Sequence, residues 1–187
     1  GGGIGRRSDI ARRGMNAANY VSGLAARQGA DLKGRPTSTE YTYEFLRKWG
    51  TEGYGDGEFY SPDGLALDRE ANVYVSDWGN HRIQGFDPEG RFLRKWGAKG
   101  KKDGEFDSPF GLALDKDGNV YVADADNNRI QMFDPQGRFL RKWGTGGGGD
   151  GEFDSPTELA IEREGDVYVA DNYNHRIQVF RRVPSSA

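Results

Sequence analysis

The sequence predicts an all-β fold, a β-propeller of four-stranded antiparallel blades with three blades in the chain. Three observations carry this. Trp49, Trp96 and Trp143 stand 47 residues apart, as do Pro62, Pro109 and Pro156, and Asp77, Asp124 and Asp171, with no insertion to break the register. Each repeat alternates short runs rich in Val, Tyr, Ile and Phe with turn residues, the pattern of an antiparallel meander. A period of about 40–50 residues holding four such strands is that of a propeller blade.

The strands of a repeat follow in order. A brief apolar run, Gly64 to Leu67 and Gly111 to Leu114, is the innermost strand. The polar stretch from Asp68 to Asn72, matched by Asp115 to Asn119, turns the chain into the runs that begin at Val73, Val120 and Val167. A tight polar turn leads to a third strand such as Arg82 to Phe86. Asp87-Pro88-Glu89-Gly90 is then a turn in which Pro presets φ at the second position and Gly closes the loop. The fourth strand is the run FLRKWG, unchanged at Phe45, Phe92 and Phe139.

Composition narrows the function. The 187 residues have room for one domain of ordinary size, and 29 glycines with 12% aromatics suit many turns between short strands. No run of 18 apolar residues is present, which excludes a membrane-spanning helix. With no cysteine, disulfides and thiolate metal sites are excluded, while the compartment is left open. Residues 1–40 carry seven Lys/Arg against three acids, and the remainder 19 against 26. Residues 1–40 thus read as a basic, Gly/Ala/Arg-rich tail, either disordered or a docking arm for an acidic surface. Within it, Ser8 to Gln28 has the spacing of an amphipathic helix, weakened by Gly14 and Gly23. Residues 41–183 are the three blades, and 184–187 a short C-terminal tail.

The segments DGNVYVADADNNRIQMFDPQG (Asp117 to Gly137) and DVYVADNYNHRIQVF (Asp166 to Phe180) resemble the NHL repeat, named for its Asn-His-Leu triplet. Here the triplet stands as Asn80-His81-Arg82, Asn127-Asn128-Arg129 and Asn174-His175-Arg176. The resemblance covers residues 41–183 and implies a propeller, usually of six blades. It implies no single activity: such propellers occur in RNA-binding tripartite-motif proteins, in sensor domains of bacterial kinases and in a peptide-amidating lyase.

The strand inventory adds a constraint. The segment Tyr43 to Trp49 is an outermost strand without a blade, and the third blade, Thr157 to Phe180, is followed by no further FLRKWG. Against the six-bladed family pattern the chain is half a ring, offset by one strand. A head-to-tail homodimer is therefore expected, Tyr43 to Trp49 of each subunit completing the third blade of the other. Two open blade faces of several hundred Å² would otherwise cost on the order of 10 kcal/mol, and free edge strands invite association. A longer propeller of which this chain is a part would satisfy the same strands.

Several motifs reduce to the repeat. Asp115-Lys116-Asp117-Gly118-Asn119 looks like a calcium loop but runs into a strand instead of reaching a twelfth-position Glu, so it reads as a hairpin turn. Gly144 to Gly149 lacks the Lys-Ser/Thr and helix of a phosphate loop. His81 and His175 share their repeat position with Asn128, which points to turn residues and to no metal site. Asp77, Asp124 and Asp171, with Arg82, Arg129 and Arg176, recur in every copy and read as structural positions. The pairs Arg47-Lys48, Arg94-Lys95 and Arg141-Lys142 form a basic rim, offset by the acids of Asp56 to Glu58 and their equivalents.

Function is sought where near-identical copies differ. The outer-to-inner connection and the second-to-third turn lie at one end of a meander. That end carries Tyr54, Tyr60, Asp63, Trp78, Lys101, Phe110, Asp126, Asn172 and Tyr173. Aromatics on the loops of a rigid scaffold suit a peptide, glycan or protein surface. The reading is a binding or scaffolding module without catalytic residues or cofactors. RNA binding, aided by Lys99, Lys101 and Lys102, and a channel-site enzyme of lyase or hydrolase type are the alternatives.

Overall fold

Eleven strands form within residues 42–183, the part of the chain described by a computed structural model, and all fall in register with the 47-residue repeat. The expectations for the tail 1–40 and for residues 184–187 lie outside the described residues. Contacts divide the chain into a unit of residues 1–47 and a unit of residues 48–187. Residues 42–47 are exposed and form no helix or strand. The second unit holds all the strands of the described residues.

The first blade consists of β1 (Pro62–Leu67), β2 (Val73–Asp77), β3 (Arg82–Phe86) and β4 (Phe92–Trp96), paired antiparallel in chain order. The second repeats it with β5 (Pro109–Leu114), β6 (Val120–Asp124), β7 (Arg129–Phe133) and β8 (Phe139–Trp143). The third has three strands, β9 (Pro156–Ile161), β10 (Val167–Asp171) and β11 (Arg176–Phe180), so its outer edge is unpaired among the described residues. The segment expected as an outermost strand, Tyr43 to Trp49, makes no ladder, because a strand exists only through its partner. No helix among the described residues is long and apolar enough to cross a membrane.

Local chemistry sets the turns. Asp68 Oδ1 accepts the N–H groups of Glu70 and Asn72 at 3.0 and 2.8 Å, and Asp115 does the same for Asp117 and Asn119. This is an Asx turn, in which a short carboxylate satisfies amides that a two-strand hairpin leaves free. In the third blade Glu162 replaces the Asp and still accepts from Glu164 and Asp166. The Asp115 loop is thus a hairpin turn.

Blades stack face to face, and the period of two in each strand sends alternate residues to opposite neighbours. Between the first two blades Tyr74 and Ile83 meet Phe106, Leu112, Val120, Val122 and Phe133. Between the second and third, Tyr121, Ala123, Ile130 and Met132 meet Phe153, Leu159, Val167 and Val169. The middle blade is consequently buried on both faces along the whole of β6 and β7, whereas β11 alternates between half-buried and exposed. Aromatic rings link the blades at their outer side. Trp96 lies 5.8 Å from Phe133, and Trp143 5.8 Å from Phe180, each outer-strand indole packing on the third strand of the next blade.

Phe133 is fully buried and touched by Trp96, Phe106 and Phe139. Phe133→Ala should lower unfolding free energy by about 3–5 kcal/mol. Leu140→Ala, on the exposed outer strand, should cost less than about 1 kcal/mol. Urea melts of the two variants check the contrast; equal losses would contradict the inter-blade core.

Candidate partner-binding face

The loops of the predicted face are held by one polar tie, repeated three times. In the second blade the buried Asp124 carboxylate accepts the Asp107 amide at 2.7 Å through Oδ1 and the Arg129 Nε–H at 2.6 Å through Oδ2. Arg129 spends its other nitrogens on the carbonyls of Lys101, Lys102 and Glu105, at 2.8–2.9 Å. Gln131 donates to Glu105 O and accepts from Gly104 N–H, and Asn127 donates to Gly100 O. The first blade repeats this with Asp77, Arg82, Gln84 and Asn80, and the third with Asp171, Arg176, Gln178 and Asn174. The guanidinium fork matches carbonyls that would otherwise be unpaired in a buried loop. Gln84, Gln131, Gln178 and the three Asn also belong to the tie, and the sequence reading does not include them. Their signal was available: like the Asp and Arg, they recur in every copy.

Burial decides how the carboxylates titrate. Burial pushes Asp124 above the ordinary carboxylate range, against the lowering by Asn127, Arg129 and the Asp107 amide. Burial also acts on Asp171, but there the Asp154 amide, Asn174, Arg176 and Gln178 outweigh it and hold the carboxyl low. The difference follows the blade stack: the third blade has one open face, and Arg176 is more exposed than Arg129.

His81 and Asn128 act across blades, where the sequence suggests only local turn bonds. His81, Asn128 and His175 each adopt φ 53°, the left-handed region that Asn and His enter more readily than most residues. His81 Nδ1 accepts the Ser108 N–H at 3.2 Å, and Asn128 Oδ1 accepts the Ser155 N–H at 2.8 Å. One acceptor role explains why His and Asn interchange. No group of three or more His, Asp or Glu among the described residues is placed to share a metal ion.

The loops so held bring the varied residues to one end. Trp78 N–H donates to Ser61 O and Gly79 N–H to Tyr60 O; Asp126 N–H donates to Asp107 O and Tyr173 N–H to Asp154 O. Tyr54 and Tyr60 stack at 6.2 Å, and Trp78 lies 5.9 Å from Phe110 of the next blade. Tyr54, Tyr60, Lys101, Asp126, Asn172 and Tyr173 are exposed, while Trp78 and Phe110 are half-buried. Asp126 Oδ2 accepts the Ser108 hydroxyl. Trp78 Nε1–H is buried without an acceptor among the described residues. Gly79 makes room for the Tyr60 ring, since a Cβ there would lie 2.2 Å from it. The basic rim is largely paired: Lys95 and Lys142 reach Asp56 and Asp103 at 2.5 Å, and Arg94 donates to Pro135 O.

Asp124→Ala strands a buried guanidinium and should cost about 3–5 kcal/mol. Asp171→Ala should cost less, because water reaches Arg176. The pH dependence of Asp171 has a definite sign. Its folded pKa lies below the ordinary 3.8, so its contribution is complete above that value and lost as pH falls through the folded one. Thermal melts of Asp171→Asn and the parent should differ at neutral pH and converge in strong acid.

Comparison with known proteins agrees with this architecture. Residues 106–133 and 153–180 match the NHL repeat, and residues 33–103 match the SMP-30/Gluconolactonase/LRE-like region. The chain is 46% identical over 44 residues to the B-box type zinc finger protein ncl-1 of Caenorhabditis elegans, covering 24% of this chain and 5% of that protein. It is 46% identical over 44 residues to protein brain tumor of Drosophila melanogaster, covering 24% and 4%. The match therefore spans only a small part of these relatives. Among solved structures, a streptogramin B lyase aligns with TM-score 0.48 and 17% identity over 63% of this chain and 36% of that one. A protein of unknown function from Bacteroides caccae aligns with TM-score 0.48 and 19% identity, over 66% and 46%. The chain carries NHL repeats, and they are consistent with the NHL-repeat β-propeller family.

Proposed function

We propose that the chain is a non-catalytic binding module whose loop face, carrying Tyr54, Tyr60, Trp78, Phe110 and Tyr173, takes a macromolecular partner: a protein or peptide segment, or a glycan. The observation that carries this is coupled variation on an otherwise repeated frame. In the first blade Tyr60 is paired with Gly79, which leaves space for its ring. The equivalent pairs are Asp107 with Asp126, and Asp154 with Tyr173. Residues that change together while the tie beneath them stays fixed make a surface different on each blade. Exposed Tyr54, Tyr60 and Tyr173 beside the half-buried Trp78 offer large contact area at low entropic cost, the composition of binding hot spots. The tie supplies preorganisation, which reduces the ordering cost of association.

Lys99, Lys101 and Lys102 share the second-blade loop, and single-stranded RNA is the competing ligand. Peptides selected from a displayed library on the immobilised chain test the reading. Tyr60→Ala or Trp78→Ala should weaken a selected peptide roughly tenfold or more, while replacing the three lysines with Ala leaves it unchanged. Binding of RNA that weakens steeply with salt and vanishes with the lysine replacements would overturn the peptide reading in favour of nucleic acid.

A further inference from the structure

Each end of the three-blade stack exposes apolar residues. On the first blade these are those of β1, since Trp49 and Phe59 pack against Phe86 and β2 and β3 are largely buried; on the third they are those of β10 and β11. On the first blade Leu65 is 64% exposed, whereas Leu112 and Leu159, one and two repeats later, are 4% and 6%. On the third blade Tyr168, Ile177 and Val179 are 43%, 63% and 52% exposed, against 6%, 0% and 8% for Tyr121, Ile130 and Met132. We propose that these faces are the two halves of one interface: the third blade of one copy packs on the first blade of a second copy, and two such seams close a dimeric ring.

Three series of contacts specify a second copy as the occupant. The first is aromatic. Phe86 and Phe92 have centroids 6.1 Å apart, as have Phe133 and Phe139, each joining a third strand to its fourth. Phe180 has the third-strand position of the last blade, and Phe45 of the second copy has the matching fourth-strand position. The second is ionic. Lys95 pairs with Asp56 and Lys142 with Asp103, so the next pair in the series is Lys48 of the second copy with Asp150. The third is the cross-blade hydrogen bond. His81 accepts from Ser108 and Asn128 from Ser155, and the next bond is His175 accepting from Ser61 N–H of the second copy. Ser61 and Ser108 share a positive φ, 60° and 58°, so the donor is already in the required conformation.

The number of copies follows from blade arithmetic. Two copies of the three described blades make six, within the range of about four to eight blades with which propellers close. A head-to-tail contact closes when its rotation permits and otherwise grows into filaments.

The seam departs from the internal junctions at one place. A Cβ on Gly64 would lie 2.7 Å from Phe110 O and 2.8 Å from Gly111 Cα, and one on Gly111 would lie equally close to Thr157 and Glu158. The third position of this series is Glu158. By the same repeat, the Cβ at Glu158 would crowd the backbone of residues 63 and 64 of the second copy, so the proposed joint is wider and weaker than the junctions within the chain. The Glu158 carboxylate turns back to its own Leu159 N–H and towards Gly111.

Light scattering on the full chain should give twice the 20.7 kDa chain mass at micromolar concentration. Glu158→Gly should tighten association. Leu65→Asp and Ile177→Asp, both on surfaces exposed in the single chain, should each weaken it roughly 100-fold, with circular dichroism unchanged. Mixing the two variants is the decisive arm. In a head-to-tail ring the mixture regains one intact seam, so a dimer reappears that neither variant forms alone. A folded 20.7 kDa monomer from the parent chain, open-ended growth, or no recovery on mixing would overturn the proposal.

Discussion

A buried carboxylate that must be satisfied from three directions is the constraint on which the rest of the structure depends. Asp77, Asp124 and Asp171 are fully buried, and each receives an incoming loop amide, the Nε–H of an Arg five residues on and the Nε2–H of a Gln seven residues on. A buried charge is tolerated only when paired and hydrogen-bonded. The pairing here reaches beyond the strand that bears it, because the Arg also collects the carbonyls of the connection between blades. The strand pair and the loop entering it are thereby one unit.

That unit separates stability from recognition. The tie uses backbone groups of the loop and so places almost no demand on the loop's side chains. Tyr54, Lys101 and Gly148 occupy the same position, and the carbonyl of each accepts from an Arg Nη1–H in its own blade. Side chains there are free to differ from blade to blade while the backbone stays fixed. A scaffold that holds loops in one conformation and varies their tips is the arrangement by which repeat proteins build binding surfaces.

Much of this was legible in the sequence because the repeat is unbroken. The 47-residue spacing gave the strand order and the missing outer strand of the third blade, and recurrence marked Asp124 and Arg129 as a pair. Unbroken burial along β6 and period-two burial along β10 and β11 follow from which blades have neighbours on both sides. What the sequence hid depends on contacts between repeats. The acceptor role of His81 and Asn128 requires knowing that Ser108 and Ser155 lie across the junction. The use of Gly79 as space for Tyr60 depends on a close approach between residues 19 positions apart. The offset of the rim by Asp56 to Glu58 and its equivalents is legible in the sequence, and the strand folding back over the loop adds the individual pairs, Lys95 with Asp56 and Lys142 with Asp103.

Amide hydrogen exchange resolved by residue tests the central claim, that buried carboxylates fix the loop face from beneath. The N–H groups of Tyr60 and Asp107 point at Asp77 and Asp124 and should exchange as slowly as the core strands, through global opening alone. The N–H groups of Tyr54 and Lys101, at the tips of the same loops, should exchange many times faster. Uniformly fast exchange along residues 51–61 and 98–108, with β2 and β6 still protected, would contradict the account, because the loops would then move independently of the carboxylates said to hold them.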